Sequence, residues 1–170
     1  MNIEINLSKS SIKDAIRKLE AYRDGVVDKN EEFVRRLAKL GEPVVESNIA
    51  RARGDANPHH KTEIKTISKT DKSTSCVLLL EGEEILFFEF GAGIYYNEVD
   101  APHAKQFGYG VGTYPNQTHA FDEDGWWYRD DDNVLHHSYG TEATMPMLKA
   151  SHEIIANIRR IAREVYGSSK

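Results

Sequence analysis

The sequence predicts an α+β fold: a small antiparallel β-sheet packed against an N-terminal helical region and a C-terminal helix, with a long irregular loop before the last helix. Three observations predict it. Apolar residues recur at helical spacing towards both ends of the chain. Runs of β-forming residues separated by turn residues fill 62–90. Regular pattern then fades between Gly91 and Gly140. The 170 residues suit one domain spanning 1–170 and long enough to bury a core, with 91–140 as an insertion-like, loop-rich region and 168–170 as a flexible tail.

Taken in order, Ile3-Glu4-Ile5-Asn6-Leu7 alternates apolar and polar, the period of a strand. Ser10 or Ser11 can cap the helical region that follows. Ile12, Ile16 and Leu19 form one apolar stripe in it, and Phe33, Leu37, Leu40 and Val44 form a second. Gly25 and Gly41-Glu42-Pro43 are expected kinks or breaks, and the spacing leaves open one bent helix or two or three separate ones. Arg53-Gly54-Asp55-Ala56-Asn57-Pro58 reads as a turn or loop.

From Thr62 to Thr70, Ile64, Thr66 and Ser68 fall on one side of a strand, with Glu63, Lys65 and Ile67 on the other. Asp71-Lys72-Ser73 makes a tight connection to a second strand at Ser75–Leu80, and Ile85–Phe90 is a third strand or a short helix. Further on, Trp126-Trp127-Tyr128-Arg129 reads as a strand. An Asp-Asp-Asp-Asn turn joins it to a partner near Val134–Ser138. Thr144-Met145-Pro146 opens the last helix, because proline is tolerated in a first turn. Met147, Ser151, Ile154, Ile158, Ile161 and Val165 make its apolar face, and Gly167 ends it.

Charge is unevenly spread. Residues 1–70 carry 14 Lys/Arg against 11 Asp/Glu, whereas 71–170 carry 8 against 16. Nucleic-acid binding requires cations to neutralise phosphates, so the acidic middle of the chain disfavours a specific DNA-binding role. It suits a surface that DNA slides past. The longest apolar run, Cys76–Leu80, is far short of the roughly 20 residues of a membrane span. The first residues lack a basic segment followed by an apolar one and do not read as a secretory signal. The single cysteine, Cys76, is expected to be a buried, inert thiol, and synthesis in a reducing cytoplasm is expected with it.

No constellation reaches the pattern that catalysis needs, and no cofactor, metal or catalytic residue is expected. The histidines, His59-His60, His103, His119, His136-His137 and His152, lack the spacing of a zinc motif. Asp122-Glu123-Asp124 and Asp130-Asp131-Asp132 do not follow a calcium-loop template and read as solvated turns. Gly108-Tyr109-Gly110-Val111-Gly112-Thr113-Tyr114-Pro115 lacks the Gly-Lys-Ser/Thr of a phosphate loop. A metal-dependent hydrolase using the histidines and acids stands as the alternative reading. The unexplained feature is aromatic: Tyr95, Tyr96, Phe107, Tyr109, Tyr114, Phe121, Trp126, Trp127, Tyr128 and Tyr139 crowd a weakly patterned stretch, as in a subunit interface.

One order of motifs runs through the chain. After the N-terminal helical region and the strands come Phe88-Glu89-Phe90-Gly91-Ala92-Gly93, Gly110-Val111-Gly112-Thr113-Tyr114-Pro115, Gly125-Trp126-Trp127-Tyr128 and Tyr139-Gly140-Thr141-Glu142-Ala143-Thr144-Met145-Pro146-Met147-Leu148-Lys149-Ala150. This series resembles the minor structural proteins of long-tailed bacteriophages that serve as head–tail joining or tail-completion proteins. The resemblance is strongest over 85–160. It departs at Arg53–Pro58, where the family often has a Pro-x-Asp-Thr-Gly-x-Leu turn, and at Gly91-Ala92-Gly93, which lacks the usual threonine.

The resemblance implies a non-enzymatic virion protein, made in the host cytoplasm, that forms a ring of copies, most often sixfold, at the head–tail interface. Its neighbours would be connector, stopper, tail-tube or tail-terminator proteins, with DNA passing nearby without specific contact and no membrane involved. Tyr95, Tyr96, Phe107, Tyr109 and Tyr114 are the candidate inter-subunit contacts. Asp122, Glu123, Asp124, Asp130, Asp131 and Asp132 are the candidate acidic residues facing a DNA channel.

Overall fold

The computed structural model describes residues 8–52, 60–82, 84–96, 101–115, 118–130 and 132–167. The expected strand at Ile3–Leu7, the turn at Arg53–Pro58, Asp131 and the tail 168–170 lie outside them. The fold is α+β. Helix α1 (Lys9–Ala52) is followed by strands β1 (His60–Lys69) and β2 (Thr74–Gly82), helix α2 (Ile85–Phe90), a 3-10 turn at Ala104–Phe107, strands β3 (Trp126–Arg129) and β4 (Leu135–Ser138), and helix α3 (Pro146–Gly167). The β structure is two separate two-stranded sheets, β1–β2 and β3–β4.

Helix α1 begins on Ser8, whose Oγ accepts the Ser11 N–H at 3.3 Å while its carbonyl accepts the Ile12 N–H. The cap is therefore two or three residues earlier than the Ser10 or Ser11 expected from pattern, since both of those already lie inside the first turn. The helix continues through Gly25 and Pro43 for 44 residues. Proline lacks an N–H, so the Lys39 carbonyl loses its partner four residues on. Burial of Val45 and Ile49 just beyond holds the helical course.

The described residues gather into two compact units, and the chain passes between them within α1, β1, β2 and α3. One unit combines the first part of α1, up to Lys39, with 64–78 and 156–170. In it, Phe33 packs on Tyr166, Arg36 pairs with Glu164, and Lys69 bridges Asp28 and Glu31. The β1–β2 turn closes on Thr70, whose N–H donates to the Ser73 carbonyl and whose hydroxyl oxygen accepts the Ser73 N–H. Ile64, Thr66 and Ser68 are half-buried while Lys65 and Ile67 are exposed, as the alternation predicts; Glu63 is half-buried despite its outward register. Cys76 is half-buried rather than fully buried.

The other unit combines the rest of α1 with 79–155. Short α2 resolves the ambiguity at 85–90 in favour of a helix, and its Ile85, Phe88 and Phe90 enter the core. The β3–β4 hairpin has the register Trp126↔Ser138, Trp127↔His137, Tyr128↔His136 and Arg129↔Leu135. Its turn places Asn133 at φ 61°, a left-handed conformation asparagine tolerates better than most residues. Among the described residues, no helix is long and apolar enough to cross a membrane.

Candidate interaction surface and its framework

The motif segments meet in space. Ala92 and Thr141 form an antiparallel bridge, each N–H donating to the other's carbonyl at 2.9–3.0 Å. Gly140 must be glycine there: its φ is 119°, and a Cβ would stand 2.1 Å from the Ala92 carbonyl oxygen. Farther along, the N–H groups of Thr144 and Met145 both donate to the Phe88 carbonyl. Met145 adopts φ 53°, outside the extended region favoured before a proline. That turn directs the start of α3 towards α2.

Glu89 completes the junction. It is 7% exposed, and its two carboxylate oxygens accept the N–H groups of Met147 (2.7 Å) and Leu148 (3.0 Å). These are the second and third residues of α3, the positions an N-cap side chain serves. Here the cap comes from 58 positions away in sequence. Pro146 has no N–H to satisfy and Lys149 donates to the Met145 carbonyl, so the opening turn of α3 has a full set of partners. A negative charge at this end also meets the positive pole of the helix dipole. His103 Nε2 lies 3.2 Å from Glu89 Oε1, and both side chains are close to fully buried.

The segment 101–115 is held on α2 by rings. Phe90 stacks on Tyr109 at 4.7 Å between centroids, Tyr109 stacks on Tyr114 at 5.2 Å, and Phe87 meets Tyr114 edge-on at 4.9 Å. Tyr114 is 4% exposed and donates its hydroxyl to the Gly91 carbonyl. Burial, with Tyr109 adding to it, pushes the Tyr114 phenol up to about 12. The glycine loop is a self-contained turn in which Thr113 Oγ1 accepts the Gly110 N–H and donates to the Gly110 carbonyl, both at 2.8 Å. Of the five candidate contact residues, Tyr114 thus lies in the core, Tyr109 is packed against it, Tyr96 is half-buried, and Tyr95 and Phe107 are exposed.

Most of the exposed aromatic surface lies elsewhere in the same stretch. Phe121, Trp127, Tyr128 and Tyr139 are exposed, as are Val134 and Leu135 beside them. On the hairpin, each cross-strand pair in the middle joins an aromatic to a histidine: Trp127 with His137 and Tyr128 with His136. His119 stacks on Trp126. The candidate acidic residues that are described, Asp122, Glu123, Asp124, Asp130 and Asp132, are all exposed. Asp122 pairs with His119 and Asp130 with His136, each at 2.7 Å. The His136 hydrogen bond, with the Val134 N–H adding to it, holds the Asp130 carboxyl below its usual range. The two acidic clusters therefore belong to one hairpin and its entry, with histidines as local counter-groups.

A cavity of about 420 Å³ opens beside α2, lined mainly by Leu80, Leu86, Phe90, Phe107 and Met147, with Glu89 and His103 as its polar members. From sequence, His103 stands only among the histidines that lack a zinc pattern and Glu89 only within the Phe88–Gly93 motif, and neither is assigned this role. Glu89 sits in an apolar run, Phe87-Phe88-Glu89-Phe90, and a lone acid there is the one available signal of a structural demand for charge. Among the described residues, no group of three or more His, Cys, Asp or Glu is arranged to hold a metal ion. No family model, curated protein or solved structure matches the chain.

Proposed function

We propose that this chain is a structural subunit of the head–tail junction of a long-tailed bacteriophage, a connector or tail-completion protein that assembles as a ring, with sixfold symmetry the form the resemblance implies. It acts by binding neighbours and carries out no reaction. The observation that carries this reading is the exposure of six of the ten aromatics between Tyr95 and Tyr139, namely Tyr95, Phe107, Phe121, Trp127, Tyr128 and Tyr139. Large apolar side chains left in water on one unit are characteristic of a surface made for partners. The ordered motifs of the resemblance add to it. Those around Gly91 and Gly140 frame the start of α3, so they serve a scaffold.

In this reading the acidic hairpin region lies near the passage of DNA, where like charge keeps the duplex from adhering. Deletion of the gene from the phage or prophage that carries it tests the proposal. DNA-filled heads and completed tails that fail to join are the expected products. Normal infectious particles without the gene end the proposal.

A further inference from the structure

The neighbours of α1 in its first unit meet it well inside its length. Tyr166 of α3 meets Asn30 and Phe33, and Lys69 of β1 meets Asp28 and Glu31. The stretch before them is open. From Lys9 to Asp24, every residue but the half-buried Ser11 and the buried Ala15 is exposed. Ile12, Ile16, Leu19 and Tyr22 are among them, 43–59% exposed. At about 100° per residue these four fall within about 120° of the helix surface, which makes one apolar stripe. Arg23, on the same face one turn beyond Leu19, is held by Asp24.

Charge along one edge of the stripe changes sign from end to end. Lys9, Lys13, Glu20 and Asp24 lie within about 60° of one another on that edge, the two bases before the two acids. All four are exposed. Such a stretch is its own complement when reversed. A second copy laid antiparallel, with the two-fold axis between Ile16 and Arg17, brings Lys9 opposite Asp24 and Lys13 opposite Glu20, each pair twice. The same axis sets Ile12 against Tyr22 and Ile16 against Leu19, within about 3 Å of level at 1.5 Å per residue. Lys18, on the other edge, comes nearer in level to Asp14 of the second copy than to its Lys18. A parallel pair faces the charged edge to the opposite one, where its order of charges has no counterpart.

We infer that residues 9–24 of α1 pair antiparallel with the same residues of a second copy of this chain. The apolar stripe supplies the buried area, and the edge charges select a second copy in the reversed direction. About 24 Å of helix from each copy is small against a standard interface, so the pair is weak by itself. A two-fold contact closes on itself, whereas a ring needs two different faces. This contact is therefore separate from the ring interface proposed above and does not depend on it.

The test uses the full chain with Cys76→Ser and one new cysteine. Ile16→Cys, beside the two-fold axis, is expected to form a disulfide-linked homodimer on oxidation. Ile12→Cys, about 14 Å along the helix from its own counterpart, is not. Ile12→Cys mixed with Tyr22→Cys is expected to give the mixed disulfide. In parallel, light scattering up to about 1 mM follows self-association. Lys9→Glu/Lys13→Glu makes the edge wholly acidic, and Glu20→Lys/Asp24→Lys makes it wholly basic. Each is expected to weaken self-association on the order of tenfold, and an equimolar mixture of the two to regain it. Circular dichroism checks that each variant keeps its helices.

A chain that stays monomeric at that concentration assigns the stripe to a different protein and overturns the inference. Self-crosslinking of Ile12→Cys as ready as that of Ile16→Cys marks a parallel pair and overturns it too. So does a mixture of the charge variants that associates no more tightly than either one alone.

Discussion

Replacing Glu89 by alanine removes the acceptors of two part-buried N–H groups at once. Met147 and Leu148 donate to it at 2.7 and 3.0 Å, and neither has another partner within the helix, since first-turn amides have none. A hydrogen bond to a charged group is worth about 1.5–3 kcal/mol net, and an orphaned buried donor costs about 1–3 kcal/mol. Alanine also removes the favourable charge at the helix N-terminus, worth about 0.3–1 kcal/mol. The two amides share one carboxylate and relax together, so the sum is not additive, and Glu89→Ala is expected to lose about 3–4 kcal/mol. Glu89→Gln keeps one oxygen for one amide but turns an NH2 towards the other, with an expected loss of about 1–2 kcal/mol.

Urea unfolding followed by circular dichroism and tryptophan fluorescence measures this, with hydrogen exchange at Met147 and Leu148 as the local readout. Glu123→Ala, on exposed surface, is the control and is expected to stay within about 0.5 kcal/mol of wild type. If Glu89→Ala unfolds within that same margin and its two amides exchange no faster, the carboxylate does not cap α3 and the account of the junction is wrong.

Other outcomes follow from the same framework. Tyr114→Phe removes a buried hydroxyl bonded to the Gly91 carbonyl and is expected to cost about 1 kcal/mol in urea unfolding at neutral pH. The Tyr114 phenol is raised from 10.0 to about 12 in the fold, so its contribution is complete below pH 10 and is lost as pH rises through 12. A pH series of unfolding midpoints should show that alkaline loss in the wild type and less of it in Tyr114→Phe. Gly140→Ala forces a Cβ to within 2.1 Å of the Ala92 carbonyl oxygen at a glycine-only φ, and a loss above about 2 kcal/mol, with the Ala92–Thr141 bridge broken, is expected from thermal melts. Gly25→Ala does the reverse. No neighbour stands within 4 Å of the new Cβ in a helix interior, so a gain of about 0.5–1 kcal/mol is expected in the same assay.

The sequence by itself determined the elements whose signal is local. Period 3.6 marked both long helices, period 2 marked the faces of β1, and Asp130-Asp-Asp-Asn133 between aromatic and histidine-bearing runs marked the β3–β4 hairpin. Pro146 marked the start of α3 because a first turn needs no N–H there. Spacing left Gly25 and Pro43 open, since a helix interruption is decided by whether burial on either side exceeds the cost of a missing bond, and that burial comes from distant residues.

The long stretch after Gly91 was harder for the same reason. Its order rests on ring stacking among Phe90, Tyr109 and Tyr114 and on the Ala92–Thr141 bridge, contacts between residues with no periodic relation. Only the tertiary structure could assign Glu89. In sequence it is an acid within an apolar run. In the fold it is the charge that satisfies the amides of a helix beginning 57 residues later, because the turn at Met145 brings that helix start to α2.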